Sequence, residues 1–412
     1  MSDQPPREGR HDWRLIVVVF TITSLVESAG VSQIFALLPA YLRELGVPEA
    51  DRLPFIGLFG ALIFVVGMPL VPLWGVWADK YSRKAVIVRS ALVEAVVFAG
   101  VALSREPWQL AGSMLLIGFQ LGNTGVMLAG IRDVTPRHRL GATIALFGAS
   151  GAIGFAVGPA LAGFLIDGAG WSISGVFWVS AALSVGTAIL VWFGSAEVRP
   201  TVVPTGRVLT LAFGALRAVL ADPAVRRIFG IYAIAFLATQ ISRPYTPVLV
   251  EELVGFGPGL ASAIALVAGT AALVGALVSP LGGALGDRIG FRPVLVAALL
   301  VGGVALLLMP LAPGVGWLAG AALVFAACSA AVSAMVFGLL ATEVPAERRS
   351  ATLNLVYLPL YAAGIVGPAT GAVVVATGGI SAPFVAGAIV FLVGALVLGL
   401  TGRTDPGRSV AA

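Results

Sequence analysis

Charge is what this chain most lacks. Only 11% of its 412 residues are Asp, Glu, Lys or Arg, where a water-soluble chain carries about a quarter. With 58% hydrophobic residues and a mean hydropathy of +1.00, it cannot build enough polar surface for water, so lipid is its main solvent. Cysteine is equally scarce: a lone Cys328 excludes an intramolecular disulfide and leaves the redox compartment unread. The two histidines, His11 and His138, lie in polar segments, and no Cys/His cluster has metal-ligand spacing. No Gly-Lys-Ser phosphate loop and no Ser/His/Asp set on one side of a membrane occurs, which argues against ATP drive, a resident cofactor or enzymatic chemistry. The net charge of +5 does not point to nucleic acid, because the cations fall between apolar runs and not along one face.

Long apolar runs are what the chain has in plenty. About 20 apolar residues cross a bilayer, and twelve such helices are predicted, at 15–38, 54–74, 85–103, 108–131, 142–166, 173–193, 228–249, 260–282, 294–311, 315–340, 351–376 and 383–400. The first run is too long for a signal-peptide core and is read as a retained helix. Of the 25 Lys and Arg, only Arg43, Arg52 and Arg105 fall in predicted outer loops, and Arg243 within the seventh run. The rest lie on the side of the termini, so both termini are expected in the cytoplasm. The expected layout is a tail at 1–13, a six-helix unit at 14–194, a linker at 195–227, a second six-helix unit at 228–402 and a tail at 403–412. The linker is the longest polar segment and holds Pro200, Pro204, Arg199, Arg207, Arg217, Arg226 and Arg227.

The two units echo each other. Gly75-Val76-Trp77-Ala78-Asp79-Lys80-Tyr81-Ser82-Arg83-Lys84 recurs 208 residues later as Gly283-Ala284-Leu285-Gly286-Asp287-Arg288-Ile289-Gly290-Phe291-Arg292. Pro39 matches Pro247 at 208, while Pro136 matches Pro345 and Gly158-Pro159 matches Gly367-Pro368, both at 209. In each loop the glycines permit close helix approach, and an Asp ends one helix where backbone amides or an Arg can receive it.

This doubled loop resembles the signature between helices 2 and 3, and its echo between helices 8 and 9, of the major facilitator superfamily. The resemblance covers Leu15 to Leu400 and is nearest the bacterial twelve-helix drug:proton antiporters. It implies an all-α integral membrane protein of two parallel-repeat six-helix bundles, an arrangement for which facilitator halves are themselves a known example. It also implies a cytoplasmic latch at Gly75, Asp79, Arg83 and Lys84, and more weakly at Asp287, Arg288 and Arg292; the plainer alternative is that these cations only fix topology. The fifth-helix string from Gly151 to Gly163, with Gly154, Gly158, Pro159 and Gly163, is similar to the exporter signature, with Ala162 where Gly is usual. Gly154 and Gly158 form a small-xxx-small face and Pro159 kinks the helix. Gly367 and Pro368 repeat the pattern, so ordinary packing is the alternative.

Glu27 stands mid-way along the first helix with no cation near it in sequence. A carboxylate there is costly unless protonated, paired or wet, which marks it as a proton or cation site, or else as a carboxyl hydrogen-bonded to a neighbour. Glu94 in the third helix is a secondary proton candidate. Arg243 can close an outer gate, hold an anionic group or snorkel to headgroups. Gln120 and Asn123 share a face of the fourth helix, Tyr232 and Gln240 one of the seventh, and Asn354, Tyr357 and Tyr361 one of the eleventh. The family implies that these helices line the cavity, giving a mostly apolar, aromatic pocket. One departure stands out: Gly118 occupies the place where such antiporters carry a fourth-helix Arg. The expected function is export of lipophilic, often cationic, compounds across the inner cell membrane, driven by the proton gradient, from a monomer whose partners are a small-molecule substrate and the bilayer. A carrier for a sugar or other metabolite is the alternative, though the sparse hydrogen-bonding groups argue against a polyol site.

Overall fold

The computed structural model describes residues 12–200, 203–343 and 358–401, and all regular structure among them is helical. The helices are α1 (Trp13–Glu44), α2 (Glu49–Val65), α3 (Gly67–Lys80), α4 (Arg83–Leu103), α5 (Pro107–Leu116), α6 (Asn123–Val134), α7 (Leu140–Gly163) and α8 (Ile173–Gly194). They are followed by α9 (Val208–Ala221), α10 (Pro223–Ser242), α11 (Thr246–Val254), α12 (Leu260–Ile289), α13 (Phe291–Leu308), α14 (Val315–Glu343), α15 (Leu358–Gly378) and α16 (Ala382–Thr401). Asp12, Ser82 and Ser172 cap the starts of α1, α4 and α8 by accepting from backbone amides of the first turn. Gly290, at φ +96°, closes α12 in a conformation that a side chain would strain.

Eleven segments among the described residues are long and apolar enough to cross a membrane. The seventh of the twelve predicted runs is not among them. It is divided by a 3-10 turn at Arg243–Tyr245 into α10 and α11, where Pro244 and Pro247 offer no backbone donor. The second and fourth predicted helices are also broken, at Val66 and at 117–122. The two breaks face each other: a side chain on Gly118 would strike the Gly67 amide at 2.6 Å and Val66 Cβ at 2.7 Å. The expected polar linker contains α9, which packs on α3 and α10.

Helices α1, α4, α7 and α8 pack together, as do α10, α12, α13, α14, α15 and α16. Two seams join the N-terminal and C-terminal helices, α7 against α12 and α2 against α15. The α7–α12 seam is built from very small residues. A Cβ on Gly163 would sit 3.0 Å from Ser262 Cα, and one on Gly269 would sit 3.4 Å from the Ala156 carbonyl.

Candidate functional site: a central cavity and a buried carboxyl cluster

Between the two groups lies a cavity of about 710 Å3, within the range of small-molecule sites. Its wall runs from Ser32, Phe35, Thr239 and Arg243 down α7, α12 and α14 to Ala145, Pro280 and Ser333. The lower limit points to the basic end of the bundle, where Lys80, Arg83, Lys84 and Arg132 lie. Among the described residues Arg243 is the one charged side chain on the wall.

Glu27 is not on that wall. It is 5% exposed, and Asn123 donates to its Oε1 at 2.5 Å, so two of the predicted site residues meet across α1 and α6. The partnership depends on the break in the fourth helix, where Gly122 at φ +98° starts α6. Glu94, 2% exposed, reaches the same region. Its Oε2 accepts from Ser184 at 3.2 Å, its Oε1 has no hydrogen-bond partner, and that oxygen lies against Gly30, one turn beyond Glu27. The first and the secondary proton candidate thus lie in one cluster.

Arg89 completes the cluster. Its guanidinium lies 3.6 Å from the Trp74 ring centroid and donates to Ser90 at 2.7 Å and the Gln120 carbonyl at 3.4 Å. Its charge acts on Glu27. Ser90 also donates to the Gln120 carbonyl at 2.8 Å, whereas the Gln120 Oε1 is buried without a partner. Arg89 stands out in the sequence as a cation just after the Asp79–Arg83 loop, but nothing local places it beside Glu27.

The other predicted wall residues are dispersed. Tyr232 is buried edge-to-face on Phe236, Gln240 packs on Gly367, and Tyr361 lies against Phe64 at the α2–α15 seam; none lines the cavity. Asn354 and Tyr357 lie outside the described residues.

The glycines divide in the same way. At Gly154 and Gly158 an added Cβ would run into the Leu25 and Ala29 carbonyls of α1, as the small-xxx-small reading predicts. Gln33 donates to the Gly158 carbonyl at 3.1 Å beside Pro159. Gly367 and Pro368 make comparable close contacts with Gln240 and with Gly57. At Gly75 and Gly283, by contrast, a Cβ would meet open space, so close helix approach does not account for either. Gly286 is the tight one, against Met335 and Phe291.

At the basic end, Arg83 is 2% exposed and pairs with Asp79 and Asp133, both at 2.8 Å. Glu197 receives Ser82 and the Arg83 amide, and Lys84 donates to the Ser195 carbonyl at 2.7 Å. All of these residues precede α9. Among the described residues the expected latch pair finds its partners within its own half, and of this loop only Lys80 reaches forward, to the Gly206 carbonyl at 2.5 Å. Asp287 and Arg288 are exposed, and Arg292 donates to the Leu398 carbonyl.

The ionic bridge between the groups is at the opposite end, which sequence reasoning missed. Glu251, 6% exposed, takes Arg52, 3% exposed, at 2.7 Å and Arg43 at 2.8 Å. Glu49 adds a 2.5 Å pair to Arg52, and Phe256 lies under Arg43. Close by in the fold, Asp167 at the end of α7 accepts from the Gly259 and Ser262 amides at 2.9 and 2.7 Å, an anion on the start of α12. The only sequence signal is opposite charge at two outer helix ends.

An apolar central cavity between two helix groups, clasped by ions at one end, defines a membrane carrier. The sequence profile of the Major Facilitator Superfamily matches residues 16–276 and 228–412, and the chain belongs to that family. It is 28% identical over 308 residues, 74% of each chain, to the multidrug resistance protein MdtG of Salmonella typhi. Its fold is similar to a bacterial homologue of the human lysosomal transporter Spinster in an inward-facing and occupied conformation (TM-score 0.79, 16% identity, 96% of this chain and 98% of that one). It is also similar to the human organic anion transporter MFSD10 (TM-score 0.69, 19% identity, 94% and 100%).

Proposed function

We propose that the chain exports lipophilic small molecules across the cytoplasmic membrane by alternating access, with a proton moving the other way. The observation that carries this reading is the apolar cavity beside a buried pair of carboxyls. Apolar walls take up lipophilic bodies without demanding particular hydrogen bonds. Acids buried within a membrane bundle are costly and mark proton paths. The similarity to a multidrug resistance protein supports export over uptake of a sugar, as does the shortage of polar groups on the wall.

Glu27 is the proton carrier in this scheme and Glu94 its neighbour, with Asn123, Ser184 and Arg89 holding the pair. Two carboxyls buried in one cluster cannot both be charged without cost, which favours a proton on one of them. Coupling to the cavity runs through α1, one face of which bears Glu27 and another Phe35 and Ser32. The basic end faces the cytoplasm and twelve membrane passes place both termini there. The halves 14–194 and 228–402 tilt about the 195–227 connection, within a monomer in the inner membrane, and the proton gradient is the energy source. The carboxyls stand off the wall, so the preference for cations expected from Glu27 has no acid in the cavity to serve it.

The test is efflux of a neutral lipophilic dye from energised cells, for wild type and Glu27→Gln, with and without an uncoupler. Export that the uncoupler stops and the variant lacks upholds the scheme. Export unaffected by Glu27→Gln overturns the role of Glu27, and no export of any lipophilic dye overturns the function.

A further inference from the structure

We infer that the central cavity selects amphipathic organic anions, with Arg243 as the residue that binds their carboxylate or sulfonate. The inference rests on the carrier reading and adds the chemistry of what is carried.

The guanidinium of Arg243 sits in the turn between α10 and α11, and two aromatic rings from the other half hold it. Its centre is 4.5 Å from the Phe35 centroid and 4.7 Å from that of Phe155. Ring faces attract a cation but do not neutralise it, and they leave the N–H edges free to donate. Arg243 makes no ion pair among the described residues. The nearest acid along the chain, Glu251, is already engaged by Arg43 and Arg52. The carboxyls of Glu27 and Glu94 point into the cluster among α1, α4, α6 and α8 and do not line the cavity.

Among the described residues the rest of the wall carries no acid to balance that charge. The hydroxyls near Arg243 (Ser32, Thr239, Ser242 and Thr246) are neutral, and Ser32 and Ser242 direct their protons to the Ala29 and Ala238 carbonyls at 2.8 and 3.1 Å. Ala268, Ala271, Ala272, Gly275 and Ala276 make the facing wall of α12 apolar. An uncompensated cation in such surroundings favours an anion strongly and repels a second cation. A planar acceptor such as a carboxylate also meets the guanidinium fork in two parallel hydrogen bonds. A ligand with an acidic head at Arg243 and an apolar body along α7 and α12 complements the whole wall, and a volume of about 710 Å3 admits a drug-sized molecule.

Three probes with one apolar body separate charge from hydrophobicity: pyrenebutyrate, neutral pyrenebutanol and cationic pyrenebutylamine. Their binding to the full-length protein in nanodiscs is read by fluorescence titration, with empty nanodiscs subtracted. The expected order is butyrate tightest, about tenfold or more over the alcohol, and the amine weakest. Arg243→Gln is expected to bring the butyrate to within about threefold of the alcohol, while Arg243→Lys keeps part of the preference. The inference is overturned if the amine binds wild type as tightly as the butyrate, or if Arg243→Gln keeps the full preference. Binding of all three with no preference sinks this inference and leaves the lipophilic carrier standing. Binding of none to folded protein sinks both. Should Arg243→Gln not fold, the order of the three probes on wild type decides.

Discussion

Replacing Glu251 with Gln isolates the ionic clasp at the end opposite the basic loops. The substitution keeps the shape of the side chain and removes its charge, leaving Arg52 with Glu49 alone and Arg43 with a 3.2 Å contact to Glu49. Glu49 is largely exposed, so its pairs contribute little, about 0–1 kcal/mol each. The Arg52–Glu251 pair is buried on both sides, and removing one partner of such a pair costs about 3–5 kcal/mol. When this end opens, water reaches all four side chains and most of that cost vanishes. The variant therefore disfavours the closed arrangement by roughly 3 kcal/mol, about a hundredfold in population. Cys328 is the sole cysteine, so Cys328→Ala provides a clean background for spin labels at Ala50→Cys and Val254→Cys, both exposed and on opposite sides of the clasp. Double electron–electron resonance is expected to show a short distance with Glu251 intact and a dominant longer one in Glu251→Gln. Unchanged distances in folded protein would refute the idea that this pair holds the end shut.

Two further outcomes follow from packing and charge. Gly154→Ala and Gly158→Ala press into α1 backbone and are expected to lower stability by about 1–3 kcal/mol each, seen as lower melting temperatures in detergent, while Gly75→Ala, facing open space, changes it by less than about 1 kcal/mol. Arg83→Ala leaves Asp79 and Asp133 without their shared cation and is expected to cost about 2–4 kcal/mol by the same measurement, between the values for exposed and buried pairs; Asp287→Ala in the second loop, exposed and without an ion pair among the described residues, is expected to cost under about 0.5 kcal/mol.

How much was legible in the sequence follows the range of each interaction. Gly154 and Gly158 were readable because the small-xxx-small pattern lies within two turns of one helix and constrains any partner equally. Glu27 announced itself through the cost of its own burial, but its partner Asn123 is 96 residues away, and Glu94 joins from another helix. The Arg52–Glu251 clasp spans 199 residues and has no local signature. Wall membership failed for Tyr232, Gln240 and Tyr361 because a helical wheel fixes which residues share a face, not which way the face turns.

The seam of α7 on α12 has a consequence for motion. Backbone lies on backbone there, with Gly163 on Ser262 and Gly269 on Ala156, so no long side chains are meshed like gear teeth. Tilting one half against the other needs no rotamer to flip and no knob to leave its hole. In the proposed carrier cycle friction in the middle of the molecule is low, and the timing of each stroke is left to the charged clasp at one rim and the carboxyl pair inside.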